Sequence, residues 1–312
     1  MNITSQYTIN PKSRRVYSLS SAIYKKISYS STRLRLGEER QFLNSKKNYK
    51  FFRVDGIDFK MIQCPKGSFI MGSDIKDDKN PKRIVSIEKP FLLGETEVTQ
   101  ELFEIVMGFN PSKHQGEGYP NSNKSPVEKV TWYDALIFCE KLSKKLGKKP
   151  YYNVSEITNE EDRFWKPPRI RPSVVGATVK IDPTADGFRL PFEKEWEYAA
   201  KARTNNKWAG TNELNKLGEV AWFNDNSSYQ TQPVKGKSPN EWGFYDMSGN
   251  VREWCWDESK ISVRIPRDRV DRGGCYADEK DNHTLRITAK YHCEPNERVH
   301  NLGFRIASNL II

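Results

Sequence analysis

The sequence predicts an irregular α+β domain, rich in loops, with short strands and a few helices. Three observations predict it. Only three amphipathic segments carry their own start and stop signals. Strand-like runs are short and bounded by Gly or Pro. Beyond the third helical segment the chain is punctuated by Gly, Asn and Pro. A chain of 312 residues can bury a proper core, and its eight Trp favour pinning by large side chains over long regular elements.

The elements follow in order. "ISYSSTRLRL" (27–36) alternates enough for a strand, and "FFRVDGIDFKMIQCPKGSFIMGS" (51–73) reads as two short strands about a Pro65–Gly67 turn. Thr99 caps a helix with an apolar stripe of Leu102, Ile105 and Val106, ending at Gly108. A second helix opens on a Thr131–Asp134 capping box and closes at Gly147. Its Leu136, Cys139 and Leu142 share one face, which makes Cys139 a core residue rather than a reactive thiol. The third, "LPFEKEWEYAAKAR", has Pro191 near its start, acids in its first turn and bases in its last. A Pro-interrupted segment (163–187) separates the second and third helices, and "DRVDRGG" and "GFRIASN" read as late strands.

Charge divides the chain. The net charge is +11, yet residues 1–50 hold eleven Lys/Arg against Glu38 and Glu39, leaving the rest near neutral. Residues 1–50 are therefore expected to be a basic N-terminal extension and 51–312 the folded domain. The extension reads first as a solvated arm. A basic arm can also meet nucleic acid, anionic lipid or an acidic partner, but no zinc-finger spacing, RNP motif or basic recognition helix marks specific nucleic-acid binding. Five cysteines without a CxxC pair argue against a disulfide framework and structural zinc. No apolar run reaches membrane-spanning length, and "MNITSQYTINPKSRR" has no apolar signal core, so the sequence does not assign a compartment.

Several phrases occur in a fixed order: "GSFIMGS", "ETEVTQELF", "PVEKVTWYDALIFCEKLS", "GFRLPFEKEWEYAAKA", "NEWGFYDMSGNVREW", "RGG" and "NLGFR". From about Phe59 to Ile306 this resembles the formylglycine-generating enzyme, or sulfatase-modifying factor, family. The resemblance implies a C-type-lectin-like fold. Physically, Arg189, Glu195, Trp196 and Glu197 read as anchors, an Arg–carboxylate pair with a buried aromatic. The Arg of each "GFR", Arg189 and Arg305, is placed to clamp backbone carbonyls. In "DMSGNVRE", Asp246 and Glu253 are hard oxygen donors, and the carbonyls of Gly249 and Val251 can join them. The resemblance implies a structural Ca2+ at these four positions. The same segment also reads as an ordinary turn whose acids pair with Arg252 or Arg264. No other cofactor is required.

Members that oxidise a sulfatase cysteine resemble one another in two active-site cysteines downstream of the Gly-Gly phrase, which hold copper. Here Asn282 and Ile287, or close neighbours, occupy those places. A relocated pair, Cys275 and Cys293, is the remaining route to such a thiol oxidase. The resemblance therefore implies the fold, while the residues speak against the activity.

The segment 270–305 has its own texture. A frame of Arg272, Gly273, Gly274, Leu285, Arg286, Pro295, Arg298, Asn301, Gly303, Phe304 and Arg305 alternates with mixed residues. Many of these are reachable from an Asn codon by replacing adenines, and three of the four histidines lie here. This resembles the variable region of proteins diversified by diversity-generating retroelements. The expectation is a non-catalytic receptor that presents Tyr276, Ala277, Asp278, Glu279, Asp281, His283, Ala289, Tyr291, His292, Cys293, Glu294, Asn296, Glu297, Val299 and His300 to a protein or other macromolecule, rimmed by Trp222 and Trp256. Such a receptor belongs at the cell surface. His283, His292, His300 and Cys293 as soft metal ligands match no zinc spacing. A Cys–His–Glu catalytic set would need loop neighbours to converge.

Overall fold

A computed structural model describes residues 48–73, 80–159, 174–260, 267–280 and 283–310. Residues 1–47 of the basic extension, the strand expected at 27–36, Arg264, Asp281 and Asn282 lie outside the described residues, while Tyr49 and Lys50, assigned to the extension, begin the first strand of the folded domain. The α+β class holds.

The first strand run splits where the sequence reading placed no turn. β1 (Tyr49–Val54) and β2 (Ile57–Cys64) form a hairpin about Asp55 (φ 44°) and Gly56 (φ 90°). Two residues at positive φ make the Asp-Gly turn that right-twisted strands favour. β3 (Gly67–Met71) pairs with β4 (Arg83–Ile87), and β5 (Phe91–Gly94) returns to β2. A five-stranded sheet in the order β1-β2-β5-β13-β8 closes with β8 (Phe188–Arg189) and β13 (Ala307–Asn309).

Helices α1 (Gln100–Met107), α2 (Trp132–Lys145) and α3 (Glu193–Lys201) stand where their caps predict, and a short α4 spans Leu217–Val220. On α1 the buried stripe is Leu102, Phe103, Val106 and Met107, while Ile105 is half-buried. Phe103 takes the core position because it stacks on Phe138 of α2 at 5.6 Å. In α2, Asp134 N–H donates to Thr131 Oγ1 (2.9 Å) and Thr131 N–H to Asp134 Oδ2 (3.0 Å), completing the expected box. Cys139 is fully buried. β6 (Tyr152–Asn159) and β7 (Val174–Ile181) form a hairpin beside α2.

The second sheet runs β11-β10-β9-β12, from β9 (Arg252–Glu258), β10 (Arg269–Arg272), β11 (Lys290–Cys293) and β12 (Leu302–Gly303). Two buried arginines tie it to the rest. Arg305 grips Glu253 with two bonds from Nε and Nη2 (2.6 and 2.7 Å), Nη2 also donates to the Tyr245 carbonyl, and Nη1 donates to that of Gly94. Arg272 bonds Glu197 of α3 and donates to the carbonyls of Thr288 and Ala289 (3.0 and 2.6 Å). Arg189 makes a bidentate pair with Glu195 at 2.7 Å, whose Oε2 also accepts Phe192 N–H at the start of α3. After β10 the chain turns through Gly274 (φ 68°). A Cβ there would stand 2.8 Å from the Thr284 carbonyl, so only glycine lets the two passes of the segment lie this close.

Candidate functional site

Most of the frame of segment 270–305 is interior, with Arg286, Arg298 and Asn301 half-buried. Arg272, Leu285, Phe304 and Arg305 are buried, with Pro295 and Gly303. Leu285 joins Trp208, Leu217, Val220 and Phe223, and the Pro295 carbonyl accepts Trp132 N–H at the head of α2 (3.0 Å). Arg298 reaches Asp134 of the same helix at 3.4 Å.

The mixed residues divide into three groups. Glu279, His283, His292 and Glu297 are exposed. Ala277, Asp278, Tyr291, Cys293, Glu294, Asn296, Val299 and His300 are half-buried. Tyr276 and Ala289 are interior, at 1 % and 4 % exposure, and this corrects their placement on the surface. The Ala289 carbonyl is held by Arg272. Tyr276 turns inward because Ser227 Oγ donates to its carbonyl (2.8 Å), and its ring packs edge-on against His114.

The run Tyr291–His292–Cys293 is not one patch either. It forms β11, whose successive side chains point to opposite faces. Tyr291 stands opposite Asp271 and Cys293 opposite Arg269, while His292 turns the other way and bonds Asp268 at 2.9 Å.

A polar pocket gathers around Arg252, which the sequence reading considered only as a partner for nearby acids. Its guanidinium bonds Asp271 (3.0 Å) and Asn301 (3.2 Å) and lies 5.4 Å from the Tyr291 ring. Burial lifts the Asp271 carboxyl to about 6 despite Arg252. Asn301 also donates to Cys275 Sγ at 3.5 Å, and Asp278 Oδ2 accepts Cys275 N–H at 2.8 Å. Burial pushes both the Cys275 and the Cys293 thiol up to about 12, so both stay protonated at neutral pH.

Beside this pocket, the Tyr276 hydroxyl and His300 Nδ1 are 2.5 Å apart. His114, missed in the sequence, is buried beneath them. Its Nδ1 accepts Thr231 N–H (3.2 Å), and burial holds it at about 4, hence neutral. Glu128 lies under His114, its carboxyl raised to about 7 by burial. Trp222 and Trp256 are half-buried. Trp222 is capped by Lys237 at 3.9 Å, and Trp256 stacks on Tyr152 and lines a cleft with Trp132, Phe192 and Arg269.

Both carboxylates of "DMSGNVRE" are interior. Asp246 is buried at φ 57°; Oδ2 accepts Lys235 N–H (3.0 Å), and Oδ1 has no partner among the described residues. Glu253 pairs with Arg305 rather than Arg252, and its Oε2 also accepts Trp196 Nε1–H at 2.8 Å. Glu97, unremarked in the sequence, is buried nearby with both oxygens unpartnered among the described residues. Burial, then the Asp246 charge, hold Glu97 well above the usual carboxylate range. Glu253, Asp246 and Glu97 around the Arg305 guanidinium are hard oxygen donors, of the type that a cation would hold deprotonated. No group of three His, Cys, Asp or Glu among the described residues is arranged to hold a metal by side chains alone, so carbonyls would have to contribute.

Comparison with known proteins places this geometry. Residues 57–310 match the sulfatase-modifying factor enzyme 1-like domain. The chaperone protein LppX of Paenibacillus barcinonensis is 38% identical over 244 residues, covering 72% of this chain and 81% of the chaperone. The inactive C-alpha-formylglycine-generating enzyme 2 of Bos taurus is 28% identical, covering 81% of this chain and 89% of that protein. Among solved structures, Treponema denticola variable protein 1 superimposes with a TM-score of 0.73 at 35% identity, covering 84% of this chain and 99% of that one. A formylglycine-generating enzyme of Bos taurus is also similar, at 27% identity. The variable protein and the inactive relative fit a non-catalytic scaffold, whereas the last relative is an enzyme. The chain belongs to the sulfatase-modifying factor (formylglycine-generating enzyme) family and has its fold.

Proposed function

We propose that the chain is a non-catalytic receptor whose variable surface, within about 270–305, binds a protein or other macromolecule and is diversified by a retroelement. One observation carries this reading. Within a single segment Arg272, Leu285, Pro295, Phe304 and Arg305 of the frame are buried and Arg286, Arg298 and Asn301 half-buried, while Glu279, His283, His292 and Glu297 stand exposed between them. Exposed side chains on a fixed frame can change with little effect on the core, which recognition by variation requires. Likeness to a variable protein supports the variation, and likeness to a chaperone supports a protein as partner. Ala277, Asp278, Glu294, Asn296, Val299 and His300, with Tyr291 and Cys293 on the β11 face away from His292, are the half-buried mixed positions of the segment.

The test diversifies positions 279, 283, 292 and 297 in a displayed library. Selection on unrelated proteins is expected to yield binders whose specificity follows these residues. The opposing result is turnover: oxidation of a cysteine-containing sulfatase peptide by the copper-loaded protein, lost in Cys293→Ala, would make it an enzyme.

The same reading includes a structural calcium ion held by Asp246 and Glu97 with the carbonyls of Gly249 and Val251, Glu253 remaining the partner of Arg305. Its chemistry would be to neutralise buried carboxylates. Saturating calcium is expected to raise the melting temperature by several degrees over chelated protein, and Glu97→Gln to shrink that rise. Identical melting with calcium and with chelator would remove the ion from the account.

A further inference from the structure

A cleft of about 620 Å3 opens between the β6–β7 hairpin, the starts of α2 and α3, and the paired ends of β9 and β10. A volume of this order suits a small organic molecule. Its wall is apolar: Phe192, Trp256, Ala177 and Val179 line it, all half-buried. Ala177 and Val179 share one face of β7 and pack on the core, while Thr178 between them is exposed. Trp256 is held between Tyr152 (5.2 Å) and Trp132 (5.1 Å), so the aromatic part of the wall is fixed in place.

One charge in this cleft is poorly matched. Arg189, Arg252, Arg272 and Arg305 each hydrogen-bond a buried carboxylate, those of Glu195, Asp271, Glu197 and Glu253 respectively. Arg269 is as enclosed as Arg252, with side-chain exposures of 16 % and 18 %, yet it holds no carboxylate in this way. Its guanidinium lies 4.0 Å over the Trp132 ring, and Nη1–H donates to the Trp256 carbonyl at 3.1 Å. Nη2 stands 3.4 Å from the exposed Glu258, and Nε–H has no partner among the described residues. Burial lowers the pKa of all five arginines. The paired carboxylates lift the other four above the ordinary value, while Arg269 stays below it. A locked, half-buried guanidinium without a firm carboxylate is suited to take one from a ligand.

The remaining charges of the cleft are Asp257, Glu258, Lys260 and Arg267. Asp257 Oδ2 accepts Glu193 N–H at 2.6 Å, so this carboxylate is committed to the start of α3. Lys260 and Arg267 are exposed and have no ion-pair partner among the described residues. Three bases against two acids leave the cleft cationic.

We propose that this cleft binds a small aromatic carboxylate. The ligand's carboxylate takes the outer edge of Arg269 in place of Glu258, and its ring rests on Phe192, Trp256 and Val179. Lys260 and Arg267 draw it in. The site shares no residue with segment 270–305, so it goes beyond the receptor reading and stands without it.

The probe is 2-naphthoate, titrated by calorimetry, with 2-naphthamide as its uncharged counterpart. The wild-type chain is expected to bind the carboxylate about tenfold or more tightly than the amide, because only the carboxylate makes a charge-assisted bond with Arg269. Lys260→Gln with Arg267→Gln should weaken naphthoate severalfold and leave naphthamide unchanged. The melting temperature should not move, because both side chains are exposed. Arg269→Gln should abolish the preference for the carboxylate. If that variant fails to fold, the double variant still decides. Absence of naphthoate binding at millimolar concentration, equal affinity for the two probes, or a preference that either variant leaves intact overturns the proposal. Binders selected through positions 279, 283, 292 and 297 test the receptor reading separately, so each can fail without the other.

Discussion

Arg305→Met is expected to destabilise the domain by about 3–5 kcal/mol, or to prevent its folding, as read by chemical denaturation. Arg305 and Glu253 are both fully buried and joined by two bonds, and Glu253 also receives the Trp196 indole. Removing the guanidinium strands Glu253 without its cation, next to Asp246 and Glu97, whose charges Arg305 also offsets. It also frees the carbonyls of Gly94 and Tyr245, so one of the two arginine ties of the second sheet is lost. The loss comes mainly from the abandoned carboxylate, since a buried pair contributes little net stability over an apolar pair of equal volume. Arg305→Met with Glu253→Leu should therefore recover part of it. If the double variant is as unstable as the single one, the carbonyl contacts dominate instead. The exposed Arg53–Asp58 pair at 2.5 Å is the control, and its removal should leave the denaturation midpoint unchanged.

Tyr276→Ala is expected to cost about 3–5 kcal/mol, as large as a core aromatic truncation elsewhere. The ring is 1 % exposed, packs against His114, and holds the strand-to-loop turn that begins segment 270–305. Tyr276→Phe keeps the ring and loses only the contact with His300, about 1 kcal/mol. His283→Ala and Glu297→Ala, in the same segment but exposed, should fall within about 0.5 kcal/mol of wild type. Equilibrium denaturation of the four variants checks the ranking. A Tyr276→Ala protein as stable as His283→Ala would mean that the ring is not part of the frame.

Local signals were readable and long-range ones were not. The Thr131–Asp134 box and the Gly108 stop follow from groups three or four residues apart, so they were legible as chemistry. The Arg189–Glu195 pair spans six residues and was legible for the same reason. Arg252 was expected to meet nearby acids, but it meets Asp271 and Asn301, which the sheet order brings to it. The Glu253 partner lies 52 residues on, and its choice of Arg305 depends on β12 lying parallel to β9. The surface reading of Tyr276 failed because residue type and codon pattern do not report burial. The inward turn is made by Ser227, 49 residues earlier. Reading Tyr291, His292 and Cys293 as one patch ignored strand alternation, which divides them between two faces. His114 and Glu97 carried no local signal, since each is an isolated polar residue until the fold buries it.

The central claim is that the frame alone determines folding while the exposed positions determine binding. Thermal unfolding of a set of chains randomised at 279, 283, 292 and 297 tests it most directly. Melting temperatures clustered within a few degrees of wild type, with binding specificity differing from chain to chain, are the predicted result. A broad loss of cooperative unfolding across the set, or one unchanging specificity, would contradict it.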